Sequence, residues 1–358
     1  PELEDEGRRW FKAIEDGNAE ALELFNWFKE LTLRDAKPVY DLLGVQFDSY
    51  NGESFYVDKT DRVVEELRKK NLLTISDGAS VVDLDEEKSG MPPCLILKKD
   101  GTTIYATRDI AAALYRKETY DFDKCLYVVA YQQDLHFRQW FKVIEKMGYP
   151  WYKDLVHVAF GMISYEGQSL STRKGHVLFL EDVLNMAIEK ARAIIEEKSP
   201  NLENKDEVAR QVGVGAVVYA DLQNGRIKDI DFSWERVLSF DGETGPYVQY
   251  THARCCSALR KAEGLEPAEP DYSALSDDYA QLSRFPETVR EAASRYEPSI
   301  ITRAVTELCK AYNKFYYENR IIVEEAPVRE ARVRLTRAVK NTIKTGLYLI
   351  GIEAPERM

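Results

Sequence analysis

The chain has 358 residues, 44% hydrophobic and 31% charged, a composition that excludes a disordered polymer and leaves room for two or three domains. Its formal charge of -12 argues against a protein that coats nucleic acid through bulk electrostatics. No apolar run approaches the roughly 20 residues of a membrane span, and the five cysteines, in no metal-ligand spacing, read as reduced thiols of a cytoplasmic protein.

The first segment is acidic and helical. Leu22, Phe25, Phe28 and Leu31, then Val39, Leu42 and Leu43, recur at helical spacing, and the interruption from Asp35 to Pro38 predicts two helices. A third helix is predicted at TDRVVEELRKKNLL, with Thr60 as its N-cap. GASVVDLDEE and PCLILKKDGTTIYA are short β-rich runs with a turn at KKDG. From there apolar strands alternate with helices: TTIYA, then TRDIAAALYRK; CLYVVAY, then DLHFRQWFKVIEKMG; then LVHVAFGMI. This β-α-β-α-β order predicts an α/β fold with part of a doubly wound parallel sheet, whose ligands gather at the carboxyl ends of strands. A basic loop, SYEGQSLSTRKGH, precedes two more helices, and from about Val248 onward the pattern is that of a helix bundle.

Three places carry polar groups at those strand ends. Asp109 follows Tyr105 by four residues and has two readings: it favours the positive end of a helix that Thr107 caps, or it accepts a guanidinium in a bidentate pair. Gln132, Gln133 and His136 follow the second strand; His136 by itself also suits a surface or core position. Ser171, Thr172, Arg173 and Lys174 form a loop able to hold phosphate oxygens, although the GxxxxGK spacing of a Walker A motif is absent. There is no GxGxxG, no nucleophile elbow and no metal-ligand cluster. From Ile301 to Met358 eleven Lys and Arg stand against seven Glu, a local charge of +4, and Tyr312, Phe315, Tyr316 and Tyr317 lie among them. Aromatics among cations suit stacking on unpaired RNA bases, while the helical spacing of Tyr312, Phe315 and Tyr316 also suits a core stripe.

The order YATRDIAAALYRK, YVVAYQQDLHF, LVHVAFGMI, STRKG, FDGETGPYVQYTHAR and a final helical bundle resembles the class I arginyl-tRNA synthetases over essentially the whole chain. The resemblance implies an arginine–tRNA ligase that uses ATP, with Mg²⁺, to form arginyl-adenylate and then charges tRNA(Arg). It implies no protein-bound metal and no membrane partner, and a monomer is expected. Tyr105, Asp109 and Gln133 would grip the arginine side chain. Ser171, Thr172, Arg173 and Lys174 would act on the ATP phosphates; Thr172 stands where that family's flexible loop has its second lysine, a role left to Lys174 or Arg173. His136, Gly161, Met162 and Lys174 would contact ATP, with backbone groups near Met162 facing the adenine. For tRNA the resemblance implies Tyr250, with His252 and Arg254 facing outward, and Tyr312, Asn313 and Tyr316 at the bases with Met358 near them.

No His-Ile-Gly-His type motif occurs in these residues. The expected organisation is therefore a connective insertion over 1–100, the second half of the catalytic domain over 101–247 and an anticodon-binding bundle over 248–358, a C-terminal portion with half of the ATP site missing. The alternative function is a tRNA-binding module without catalysis.

Overall fold

A computed structural model describes residues 2–85, 90–165, 167–169, 177–237, 242–275 and 280–358. The chain divides into two compact units, residues 1–40 with 45–160, and 41–44 with 161–358.

The first unit opens with α1 (Glu2–Glu15) and α2 (Ala19–Leu43). The break expected between Asp35 and Pro38 does not occur: α2 runs through Pro38, which removes one i→i−4 hydrogen bond without ending the helix. A 3₁₀ turn over Glu53–Lys59 leads into α3 (Thr60–Lys69). This turn displaces Thr60 from its expected capping role: its hydroxyl donates back to the Val57 carbonyl at 2.8 Å. The strands β1 (Leu73–Ser76), β2 (Ala79–Val82) and β3 (Cys94–Leu97) form an antiparallel sheet. Asp77 and Gly78, both at positive φ, make the two-residue β1–β2 turn, as the twist of paired strands requires.

The predicted strand TTIYA is reduced to a single bridge, Leu97 to Thr103. Asp100 explains this: its carboxylate accepts from the Thr102 backbone (3.0 Å) and hydroxyl (2.7 Å), holding the turn tight. α4 (Tyr105–Tyr120) then starts at once and buries its alanine-rich face. β4 (Cys125–Ala130) and β5 (Leu155–Phe160) pair in parallel from Cys125 with Leu155 to Ala130 with Phe160. Between them α5 (Asp134–Lys146) sinks Phe137, Trp140, Val143 and Ile144 into one core shared with α3, α4 and β3. The α/β class is as the pattern predicts, with this β-α-β unit as its centre.

In the second unit β6 (Ile163–Tyr165) pairs with β7 (Gln168–Ser169) and, in parallel, with β8 (Ile230–Phe232). α6 (Leu180–Lys198) and α7 (Lys205–Leu222) pack so closely that a Cβ on Gly213 would lie 2.6 Å from the Ile188 Cα. A short helix, α8 (Trp234–Val237), precedes the bundle of α9 (Gly245–Ala262), α10 (Ala280–Arg295), α11 (Ser299–Glu318) and α12 (Ala326–Leu349). The bundle core joins Val248, Cys255, Val305, Cys309, Tyr312, Val339, Ile343 and Leu347.

All five cysteines are free. Burial pushes the Cys94 and Cys255 thiols up to about 12, so both stay protonated and unreactive. His252 is fully buried, with Nδ1 2.9 Å from the Pro355 carbonyl, and burial holds its ionisation below the ordinary histidine range.

Two stability predictions follow from this packing. Gly213→Ala should destabilise by about 2 kcal/mol, because the new methyl meets backbone that cannot retreat. Gly225→Ala, where a Cβ meets nothing within 4 Å, is its control, read by urea denaturation. The second concerns pH. A histidine whose folded ionisation lies below its unfolded value of about 6.5 contributes stability that is present above that value and lost as pH falls. Between pH 7 and pH 5 the unfolding free energy read by urea denaturation should drop by up to about 1.4 kcal/mol per pH unit from this residue, and His252→Asn should flatten that part of the slope.

Candidate functional site

In the first unit, α4 and α5 bring four of the expected residues into two short stretches. Tyr105 and Asp109 are one turn apart on α4 and so share a face. Tyr105 is 69% exposed. Because α4 begins at Tyr105, Asp109 lies in its second turn and is no cap; Thr107 is no cap either, since its buried hydroxyl donates to the Ile96 carbonyl at 2.5 Å. Gln133 ends the 3₁₀ turn after β4, occupies the N-cap position of α5 and is exposed. His136, in the first turn of α5, stands with Nε2 2.6 Å from Asp109 Oδ2. A carboxylate accepts, so Nε2 carries the proton. The other oxygen, Oδ1, has no hydrogen-bond partner among the described residues. The acid remains 36% exposed and His136 25%.

The cations nearest in sequence are directed elsewhere. Arg108 pairs with Glu53 at 2.9 Å, and Arg138 lies 3.8 Å from Asp134. Behind the α5 turn, Phe137 stacks on His157, ring centroids 4.2 Å apart, and His157 Nε2 lies 3.0 Å from the Val129 carbonyl. Sequence reading missed both the Asp109–His136 contact and this stack; the signal was a histidine one turn into a helix that follows a strand.

In the second unit, Gly161 and Met162 are held by the segment before β8. The Gly161 N–H donates to the Arg226 carbonyl (2.8 Å), and a Cβ there would lie 2.3 Å from the Lys228 carbonyl oxygen. The Met162 N–H donates to Asp229 Oδ1 (2.7 Å), and its carbonyl accepts from Ile230 (2.9 Å). This corrects the expectation that Met162 presents its backbone to an adenine: the donor is already used. Asp231 holds Ser164 Oγ (2.7 Å) and the Gly167 N–H (3.1 Å) in the same way. Asp229 and Asp231, two apart on a strand edge, were legible as a pair but were not singled out. Ser171, Thr172, Arg173 and Lys174, expected to form the phosphate loop, lie outside the described residues.

On the bundle, Arg254 is the centre of a polar face. Its Nη1 donates to Asn313 Oδ1 (2.5 Å), and Asn313 Nδ2 donates to Tyr247 Oη (3.0 Å) and Thr251 Oγ1 (2.9 Å). The guanidinium lies 4.9 Å from the Tyr250 ring centroid and 5.2 Å from that of Tyr316. Tyr250 is 49% exposed. His252 and Tyr312 are corrections: both are fully buried, His252 on Pro355 and Tyr312 in the bundle core, where its hydroxyl donates to Thr336 Oγ1 at 3.2 Å. Met358 packs with Ala191, Ile195, Val208, Ala209 and Val212 on α6 and α7, away from the expected aromatic residues. Among the described residues no group of three His, Cys, Asp or Glu is placed to hold a metal ion, and no helix is long and apolar enough to cross a membrane.

Residues 1–234 match the family described as tRNA synthetases class I (R), catalytic domain, and residues 248–358 match the DALR anticodon binding domain. The chain is 57% identical to the arginine–tRNA ligase of Clostridioides difficile and 53% identical to that of Alkaliphilus metalliredigens, in each case across all of this chain and 64% of the relative. The chain therefore spans less than two thirds of the length of these curated relatives. Its fold matches the Thermus thermophilus arginyl-tRNA synthetase with a TM-score of 0.82 at 26% identity, over 98% of this chain and 68% of that one. Two family matches in chain order, and relatives above 50% identity along its whole length, show that the chain belongs to the class I arginyl-tRNA synthetases.

Proposed function

We propose that the chain serves an arginine–tRNA ligase, in which L-arginine is activated by ATP to arginyl-adenylate and then transferred to tRNA(Arg). The observation that carries this reading is the Asp109 carboxylate. It is anchored through one oxygen by an imidazole, is open at the other, and is left unneutralised by the arginines beside it. Such a group suits the forked guanidinium of a free amino acid. Lysine, a point charge, cannot make the paired geometry. Tyr105 and Gln133 complete the grip from the same two helix starts.

In the first step the arginine carboxylate attacks the α-phosphorus of ATP, the bond to the β-phosphate oxygen breaks, and pyrophosphate leaves. The protein's part is positioning and charge stabilisation. Ser171, Thr172, Arg173 and Lys174 would act on the departing phosphates, and Mg²⁺ would accompany them. With the Met162 and Gly161 N–H groups both engaged, the adenine contact falls to packing on the half-buried Met162 side chain and Gly161. In the second step a ribose hydroxyl of the terminal adenosine takes the arginyl group. Tyr250, Arg254, Asn313 and Tyr316 form the proposed tRNA-reading face: an exposed ring offers its outer surface to a base while the guanidinium fixes it from behind.

Three measurements test this. ATP–pyrophosphate exchange with arginine and tRNA should appear when the chain is joined to the N-terminal part of the Clostridioides difficile relative. If the chain alone binds tRNA and exchanges nothing, it acts as a docking module, and the catalytic reading passes to the joined enzyme. In that enzyme Asp109→Asn should weaken arginine by about 100-fold, roughly 3 kcal/mol, since it removes the charged acceptor; unchanged affinity would show that the pocket is misassigned. Tyr250→Ala should lower tRNA affinity about 10-fold with little change in salt dependence, whereas Arg254→Gln should also reduce the salt slope. A filter-binding series across ionic strength reads both.

A further inference from the structure

The structure assigns His136 as the positioning residue of the arginine pocket, a role distinct from the ATP contact that the sequence implied. The inference rests on the reading of Asp109 as the guanidinium acceptor. The hydrogen bond from Nε2 to Oδ2, 2.6 Å long, joins the second turn of α4 to the first turn of α5. The rest of the grip lies beside those turns, Tyr105 one turn earlier on α4 and Gln133 at the N-cap of α5. One contact therefore fixes both the rotation of the carboxylate and the spacing of the helix starts that flank it.

The imidazole is itself held. It meets the Phe137 ring edge to face at 5.5 Å, and Phe137 is buried against His157 and Trp140. A side chain locked by packing is what a precise polar anchor needs. The chemistry of the anchor also decides. A lysine or arginine in this place would neutralise the acid and close the pocket to an external cation. An imidazole holds Oδ2 through the single Nε2–H and leaves Oδ1 with its lone pairs free among the described residues.

The test titrates the 358-residue chain calorimetrically with L-arginine and with L-citrulline, its uncharged isostere. The wild-type chain should prefer arginine, and Asp109→Asn should abolish the preference. His136→Gln keeps an amide donor for Oδ2 and should retain the preference. His136→Leu removes the donor and should lose about 10-fold of it, with thermal stability close to wild type. A purely structural histidine would not separate Gln from Leu in the arginine-to-citrulline ratio. If both His136 variants match wild type while Asp109→Asn fails, the inference is overturned and the pocket stands; equal losses in Gln and Leu also overturn it. A wild-type chain that binds the two ligands alike overturns the pocket, and this inference with it.

Discussion

A protein keeps a carboxylate available for an incoming cation only if it fixes the group without cancelling its charge. On the reading proposed for Asp109, its surroundings meet that constraint. Arg108, next in the chain, is turned through the helix to Glu53; Lys117, two turns further on, closes onto Asp121; Arg138, on the facing helix, stays with Asp134. These three cations have local acids, Arg116 lies over the Tyr56 and Tyr127 rings, and the one side chain seen on the Asp109 carboxylate among the described residues is an imidazole. Partial exposure matters equally. At 36% exposure the carboxylate is open to solvent and within reach of an external cation.

The same economy of polar groups shapes the strand edge of the second unit. After β5 the chain at Gly161 and Met162 runs against the segment that leads into β8. Asp229 and Asp231 supply carboxylate oxygens in place of backbone carbonyls, and Gly161 lacks the Cβ that would strike Lys228. Buried or half-buried N–H groups must find acceptors somewhere. Here the requirement removes Met162 from the list of free backbone donors, and so constrains how a nucleotide base could be met.

Much of the fold was legible because its signals are periodic. The alternation of apolar strands with helices fixed the α/β half, and α6, α7 and α9 to α12 follow their apolar spacing closely. The misreadings were local contests that periodicity does not describe. Pro38 did not end α2, the 3₁₀ turn took the capping role from Thr60, and Asp100 tightened a turn until TTIYA ceased to be a strand. Tyr105, Asp109 and Gln133 of the proposed site come from the motif, but the partner of Asp109 could not be read from it. The contact joins residues 27 apart on two helices, and its existence depends on the angle at which they pack.

The stretch YTHAR shows why a motif alone could not sort its own residues. On α9, Tyr250 and Arg254 are four apart and share one face with Tyr247 and Thr251, turned toward Asn313 and Tyr316 of α11. His252 and Cys256, also four apart, share another face against the segment after α12. That segment is tied down by side chains that donate to its carbonyls: Gln249 to Glu353, His252 to Pro355 and Arg260 to Glu356. Adjacent letters thus do opposite work, one pair on the polar face with Asn313 and Tyr316, the other spent on strapping the chain behind it. Helical phase, roughly 100° per residue, decides which is which, and that phase is set where Gly245 packs against Gly215 and Tyr219 at the start of the helix.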